Sequence, residues 1–199
     1  MHTTQTNLLA AVRDSQNSLA WDTFYRIYSP LLSNFTHRLG LNDADADDVT
    51  QEVLLIAQRS LQQHHYDPAK GRFRSWLYGI ARRQSLAALR ARRRRTRVQS
   101  VLPESGADPL QQLADPKGDE AVSAVWREEW RYAMLNEALR HVRCEVSEKS
   151  FEAFCLYAID HHPVQQVANQ LGIAPSSVYV YKSRVLEAIR GWVARFEEP

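Results

Sequence analysis

The stretch RFRSWLYGIARRQSLAAL, from Arg72 to Leu89, combines a helical repeat with an unusual mixture of aromatic and basic residues. Its apolar side chains include Phe73, Leu77 and Ile80, which recur at the three- and four-residue steps of one helix face. Arginine and tryptophan side chains fall beside that face. The spacing therefore predicts an amphipathic helix that begins at Phe73 and carries a basic, partly aromatic surface.

The same helical period recurs along most of the chain, and the alternation typical of β-strands is almost absent. A second apolar stripe follows Trp21, where Pro30 predicts a kink or break near Ser29. A third stripe, in a C-terminal segment, joins Trp126 and Trp130 to Met134, Ala138 and Val142. These patterns predict an all-α protein.

A polar, acidic segment with several prolines and glycines interrupts the helical pattern between Val98 and Glu120. Such a composition cannot bury enough apolar surface to order itself, so the segment is predicted to be a flexible linker. We therefore expect two small helical domains joined by an acidic linker, with a helix-turn-helix in the second domain. The predicted parts are residues 1–97, 98–125 and 126–199.

The positive charge of the chain is concentrated in one block. Residues 60–97 carry eleven Lys and Arg against one Asp, whereas residues 1–59 carry four against seven Asp and Glu. Such a block attracts polyanions, and contacts from Lys and Arg to phosphates supply most of the sequence-independent affinity for nucleic acid. An exposed aromatic ring beside arginines is suited to single-stranded DNA. The alternative is that Trp76 belongs to the core and the arginines form a solvated face.

The segment VQQVANQLGIAPSSVYVYKS, Val164 to Ser183, has the spacing of a helix-turn-helix. Ala168 allows two helices to cross closely, Gly172 suits the tight turn, and Val178 anchors the second helix. An ordinary helical hairpin is the alternative. The polar candidates for a DNA groove on the second helix are Ser176, Ser177, Tyr179, Lys182, Ser183 and Arg184.

Taken in order, these features resemble an extracytoplasmic-function (ECF) sigma factor of bacterial RNA polymerase. The features are an acidic helix, DADADDVTQEVLL, then FRSWLYGIARRQSLAALRARRRR, the acidic linker and the helix-turn-helix. The resemblance extends from about Trp21 to Arg190. It implies that the acidic helix docks on the clamp helices of the largest polymerase subunit. The core-polymerase-binding residues that it implies are Asp45, Asp48, Gln51, Glu52 and Leu55.

The resemblance also implies how promoter DNA is engaged. The loop matching residues 61–72 would hold a flipped base, and residues 73–95 would run along the non-template strand. The promoter-melting and single-strand residues that it implies are His65, Arg72, Phe73, Arg74, Trp76, Arg82, Arg83 and Arg90. The helix-turn-helix would read the upstream element in duplex DNA, and the linker resembles the segment that leads towards the RNA exit channel. Aromatic residues in SSVYVYKSR depart from the family pattern and leave the base-contacting side chains undecided.

We therefore expect a non-enzymatic, cytoplasmic sigma factor that needs no cofactor and no metal and does not bind a membrane. Its expected partners are core RNA polymerase and promoter DNA, both as duplex and as non-template single strand, and the resemblance allows an anti-sigma protein. One alternative is a helix-turn-helix regulator that does not bind core polymerase. Another is an enzyme or metalloprotein, although HExxH and CxxC spacings are missing. Its candidate ligands are His64, His65, His161, His162, Cys144 and Cys155, and we expect both cysteines to be buried, reduced thiols.

Overall fold

The computed structural model describes residues 5–99 and 116–196, with side chains described for 6–95 and 119–196. Within those residues the chain is helical and contains no β-strand, which confirms the predicted all-α class. A 3₁₀ helix at Pro68–Lys70 and a π-helical turn at Cys155–Ile159 complete the ordered elements. The α-helices are α1 (Gln5–Ala11), α2 (Ser18–Arg38), α3 (Asp43–Gln62), α4 (Phe73–Gln99), α5 (Pro116–Glu145), α6 (Glu148–Phe154), α7 (Val164–Leu171) and α8 (Pro175–Phe196).

The described residues form two compact units, and the division between them differs from the predicted domain boundary. The first unit contains Thr6–Ala133, and the second begins at Met134. The sequence-based division assigned all residues from 126 onward to the second domain. Helix α5 instead contributes its first half to the first unit and its second half to the second. Residues 100–115, the larger part of the predicted linker, lie outside the described residues.

Aromatic side chains form the centre of the first unit. Tyr28, on α2, is fully buried, and its ring centroid lies 5.3 Å from that of Phe73 and 5.8 Å from that of Trp130. Phe35 lies 5.1 Å from Trp126 in an edge-to-face arrangement, which is a favourable geometry for aromatic pairs. Helices α2, α4 and the first half of α5 are therefore held together by one aromatic core.

Helix α2 continues through Pro30, so of the kink or break predicted near Ser29 the break is wrong, while the kink stays a prediction. Proline removes one backbone hydrogen bond from a helix interior. Pro30 is exposed, whereas Tyr28 and Leu31 beside it in sequence are buried. Burial of the apolar face on both sides of the proline offsets the missing bond, since tertiary packing supplies most of the stability of a helix in a protein.

An ion-pair cluster also joins α2 to the first half of α5. An Nη1 atom of Arg38 lies 2.7 Å from Glu128 Oε2 and 2.8 Å from Glu129 Oε1. The Glu129 side chain is only 6% exposed, so Arg38 neutralises a carboxylate that would otherwise be buried and unpaired. The hydrogen bond to Glu129 raises the pKa of Arg38. The cluster helps to fix the first half of α5, up to Ala133, in the first unit.

Helix α3 begins at Asp43 and is capped by Asn42. The side-chain oxygen of Asn42 accepts a hydrogen bond from the backbone N–H of Asp45 at 2.8 Å. Asp43 and Asp45 occupy the first turn, where negative charge favours the helix dipole. Helix α3 therefore starts at a fixed residue and presents a fixed face.

In the second unit, α7 and α8 are joined by a short turn at Gly172. This glycine has φ 61° and ψ 47°, a left-handed conformation that glycine adopts without steric cost. Ala168 and Val178 are buried in one cluster with Val167 and Ala153. The spacing that led us to expect a helix-turn-helix therefore corresponds to two packed helices and a glycine turn. Recognition of DNA by this pair stays a prediction.

Candidate nucleic-acid interface

Several arginine and aromatic side chains of α4 lie on two faces of the helix, one on each side of its buried face. Side chains four or seven positions apart lie on one face because an α-helix completes a turn in about 3.6 residues. One face, here called the outer stripe, begins one residue before α4 and consists of Arg72, Trp76, Arg83 and Arg90. The other, here called the covered stripe, consists of Arg74, Tyr78 and Arg82. The arginines of the outer stripe are exposed, whereas all three members of the covered stripe are half-buried.

The first half of α5 contacts the covered stripe along its length. The Nε atom of Arg82 lies 2.8 Å from Asp119 Oδ1. The guanidinium group of Arg74 lies over the ring of Trp130, 5.5 Å from its centroid, in a cation–π arrangement. Tyr78 and Trp126 are 5.6 Å apart between their ring centroids. In this conformation Arg74 and Arg82 are engaged within the chain, which distinguishes them from Arg72, Arg83 and Arg90.

Phe73 and Trp76 differ in their availability to a ligand. Phe73 is 2% exposed and has aromatic neighbours on several sides, so it is a core residue in this conformation. The ring centroid of Trp76 lies 5.4 Å from that of Phe73 and 5.2 Å from that of Tyr66. Because Trp76 is half-buried, part of its ring packs on the core and part faces solvent. The sequence left open whether Trp76 is a core residue or an exposed ring. In the structure one part of the ring is core and another part is exposed.

Tyr66 anchors the loop between α3 and α4, a role that sequence reasoning did not assign to it. It is 6% exposed, and its hydroxyl donates a hydrogen bond to the carbonyl oxygen of Gly71 at 3.2 Å. Burial raises the pKa of Tyr66. The neighbouring His65 is exposed. The available signal was a lone aromatic residue in an otherwise polar loop, which indicates an anchor to the core.

An acidic and partly apolar face of α3 lies opposite its buried side. Val53 and Ala57 are fully buried, whereas the residues at the other side of the helix are exposed. Four of them are here called the docking face, after the role that the ECF resemblance implies, and these are Asp48, Gln51, Glu52 and Leu55. Leu55 is 44% exposed, a large apolar side chain at the end of a polar surface. Asp45 lies at the edge, only 18% exposed, with its carboxylate 4.0 Å from Arg95.

Helix α8 presents most of its predicted DNA-binding residues to solvent. Tyr179 is 52% exposed, and Ser176, Ser183 and Arg184 are exposed, whereas Ser177 and Lys182 are half-buried. The sequence reasoning missed Val180, which is 53% exposed beside Tyr179. An apolar side chain on a groove-facing helix can contact the methyl group of thymine. The sequence signal that could have indicated it was the position of Val180 directly after Tyr179 in the motif VYVY.

A family model described as sigma-70 region 2 matches residues 24–95. Over these residues the chain is similar to sigma-70 region 2. The matched residues include the docking face of α3, both stripes of α4 and the loop anchored by Tyr66. The first half of α5 lies outside the matched residues, although it packs in the same compact unit.

Two curated relatives share similarity with the chain. The ECF RNA polymerase sigma factor SigE of Mycolicibacterium smegmatis is 35% identical over 101 residues, which are 51% of this chain and 37% of that protein. The ECF RNA polymerase sigma factor RpoE of Cereibacter sphaeroides is 24% identical over 83 residues, 42% of this chain and 45% of that protein. These similarities and the region 2 match confirm the resemblance to ECF sigma factors. The chain spans less than half the length of either relative.

Neither a membrane-spanning helix nor a metal cluster is found in the described part of the chain. No helix there is long and apolar enough to cross a bilayer. No three His, Cys, Asp or Glu side chains within residues 6–95 and 119–196 are grouped so that they could hold a metal ion. Both cysteines are free thiols. Cys155 is half-buried, and its burial raises its pKa, but Cys144 is exposed, so the expectation that both are buried is wrong.

Proposed function

We propose that the chain is an ECF sigma factor that binds core RNA polymerase, recognises a promoter and promotes strand opening. The observation that carries this proposal is a region 2 whose docking face and outer stripe lie on α3 and α4 of one compact unit. One surface suits a protein partner and the other suits a nucleic acid. The protein would act in the cytoplasm, through binding alone, without a chemical step of its own.

The docking face provides contacts for the polymerase. Its carboxylates at Asp48 and Glu52 suit a basic partner surface, and complementary charge gives an interface its specificity and its register. Gln51 lies between them, and Leu55 offers apolar surface that docking would bury. The ECF resemblance supports the clamp helices of the largest polymerase subunit as that partner surface.

The outer stripe supplies both groups that strand separation needs. Removing a base from its stack costs a few kcal/mol, and stacking on an aromatic ring returns about 1–3 kcal/mol per base. Trp76 provides the aromatic surface, while Arg83 and Arg90 provide cations for the phosphates on either side. His65 lies in the loop that, by resemblance, holds the flipped base.

The covered stripe has a different role from the outer stripe in this proposal. Arg82 is paired with Asp119 through Nε, so a DNA phosphate competes with that carboxylate for the guanidinium group. Arg74 is likewise already in contact with the ring of Trp130. We therefore assign the first contacts with the non-template strand to the outer stripe.

Replacement of Trp76 by alanine should impair promoter opening while leaving earlier steps intact. Binding to core polymerase and formation of the closed complex need no stacking surface. The loss of one base contact should cost about 1–3 kcal/mol at the opening step. Transcription from a duplex promoter and from the same promoter with a preformed mismatch bubble measures this, because the bubble supplies the unpaired strand and should restore activity.

Arg83→Ala is the matched control on the outer stripe, since a phosphate contact is lost on duplex and bubble templates alike. Thermal unfolding of both variants separates a functional from a structural effect. A fully buried tryptophan replaced by alanine costs about 3–5 kcal/mol of stability. A Trp76→Ala protein that melts early and is not rescued by the bubble would show that Trp76 serves only as core.

The double variant Lys182→Ala with Arg184→Ala should bind the upstream element more weakly and with a flatter dependence on salt. Each phosphate contact that is lost lowers the slope of log K against log salt by about one. Fluorescence anisotropy of the holoenzyme on a duplex promoter over a salt series measures that slope. Glu187→Ala is a control on the same helix that removes a charge of the opposite sign. A slope equal to that of the unmodified protein would place Lys182 and Arg184 away from DNA.

Co-purification with core RNA polymerase tests the proposed function against a regulator that never binds polymerase. A helix-turn-helix regulator that does not bind polymerase would account for α7 and α8 but would leave the docking face without a role. We expect a stable complex when the full chain and core polymerase are mixed and separated by gel filtration. Binding to duplex DNA without any association with polymerase would support the regulator instead.

A further inference from the structure

One tyrosine outside the predicted DNA-binding set contacts two residues within it. Tyr157 lies in the π-helical turn Cys155–Ile159 that follows α6. Its ring centroid is 5.6 Å from that of Tyr179 in an edge-to-face arrangement. The ammonium nitrogen of Lys182 lies over the same ring, 5.2 Å from its centroid. A single ring therefore touches two neighbouring side chains of α8.

The π-helical turn gives Tyr157 a fixed position. The backbone N–H of Asp160 donates to the carbonyl oxygen of Cys155 at 2.9 Å, five residues earlier, and that of His162 donates to Leu156 at 2.9 Å. Tyr157 itself packs against the buried cluster that includes Val178. Single π-helical turns are frequent at functional sites, where they redirect a side chain. Here the turn directs an aromatic ring towards α8.

The two contacts restrict the rotation of two side chains of α8. A lysine side chain loses rotamer freedom when it is fixed, and a partner that fixes it in advance removes this entropic cost from binding. The ring attracts the ammonium group through a cation–π interaction, and it limits the rotation of Tyr179 by contact. Tyr179 remains 52% exposed. The contact with Tyr157 therefore orients the ring of Tyr179 and leaves its exposed surface available to a ligand.

We propose that Tyr157 is a positioning residue that holds Tyr179 and Lys182 in the orientation in which they meet duplex DNA. The proposal rests on the proposed function and adds to it a determinant of promoter preference that does not itself touch DNA. Tyr179 would contact base edges and Lys182 a phosphate. Tyr157 would act on both, so that its loss alters sequence preference and the salt slope together.

The test compares Tyr157→Leu with Tyr157→Phe in the full chain bound to core RNA polymerase. The probe is a duplex library with a randomised upstream element, from which each protein selects sequences. Tyr157→Phe retains the ring and both contacts, so its selected sequences should match those of the unmodified protein. Tyr157→Leu should lose about fivefold in discrimination between preferred and non-preferred bases. If the leucine variant does not fold, Tyr157→Met fills more of the space and replaces it.

A double-mutant cycle separates positioning from a structural role. In a protein that already carries Tyr179→Ala and Lys182→Ala, Tyr157→Leu should have no further effect on sequence preference or salt slope, because the residues through which it acts are gone. An undiminished effect of Tyr157→Leu in that protein would overturn the inference, as would equal losses in the leucine and phenylalanine variants. If the unmodified protein selects no sequence, the proposed function fails. If it selects one that Tyr157→Leu selects equally well, this inference alone fails.

Discussion

The double variant Asp48→Arg with Glu52→Arg is expected to abolish binding to core RNA polymerase. Both side chains are exposed on the docking face, one helical turn apart, so the change introduces two cations where two anions were. Like charges placed opposite each other across an interface cost several kcal/mol. Gel filtration with core polymerase measures the loss, and circular dichroism should show unchanged helix content because neither side chain is buried.

Glu148→Arg with Glu152→Arg is the matched control for this experiment. These residues are exposed on α6 at the same spacing and give the same change of net charge. We expect the control to retain binding to the polymerase. A folded Asp48→Arg, Glu52→Arg protein that binds core polymerase as tightly as the unmodified chain would contradict the assignment of the docking face.

Replacement of Trp130 by alanine should destabilise the first unit by about 3–5 kcal/mol, the range observed when a buried large aromatic residue is removed. Trp130 is 1% exposed, and its ring lies 5.8 Å from that of Tyr28 on α2. Its loss would leave a cavity where α5 meets the rest of the unit. Urea unfolding followed by circular dichroism measures the change in the free energy of unfolding.

Tyr132→Ala provides the comparison on the same helix, since Tyr132 is 54% exposed and a change there should cost little. A chain ending at residue 97 should likewise be less stable than one ending at residue 133, because it lacks the first half of α5. Equal stability of Trp130→Ala and Tyr132→Ala proteins would show that α5 does not belong to the first unit.

Local periodicity predicted which side of α4 is buried. Phe73, Leu77 and Ile80 were expected to face inward, and each is at most 5% exposed. This prediction succeeded because apolar side chains that recur every three or four residues all lie on one face of an α-helix. The same reasoning predicted the apolar stripe of α5, from Trp126 to Val142.

The pattern did not predict what each buried side chain packs against. The stripe of α5 was read as part of one domain, but Trp126 and Trp130 belong to the first unit and Val142 to the second. A repeat along one helix identifies the face that is buried without identifying its partner. Partners depend on contacts between residues far apart in sequence, which a local pattern does not contain.

At the candidate site, too, local sequence patterns did not reveal contacts between residues far apart in the chain. Residue type identified Arg74 and Arg82 as cations suited to phosphates, equal to Arg83 and Arg90. Their engagement depends on Asp119, within the predicted linker, and on Trp130, beyond it, and no spacing rule connects these residues to α4. Tyr157 was missed for a similar reason. It was singled out by its contacts with Tyr179 and Lys182 on α8, and it belongs to no sequence motif of its own.

Transcription in vitro tests the central proposal most directly. Core RNA polymerase, a genomic fragment library and nucleotides are combined with and without the full chain, and the 5′ ends of the transcripts are mapped. We expect transcripts that start at defined positions, share an upstream element and depend on the added chain. A folded chain that binds duplex DNA but leaves the polymerase without promoter-specific initiation would contradict the account.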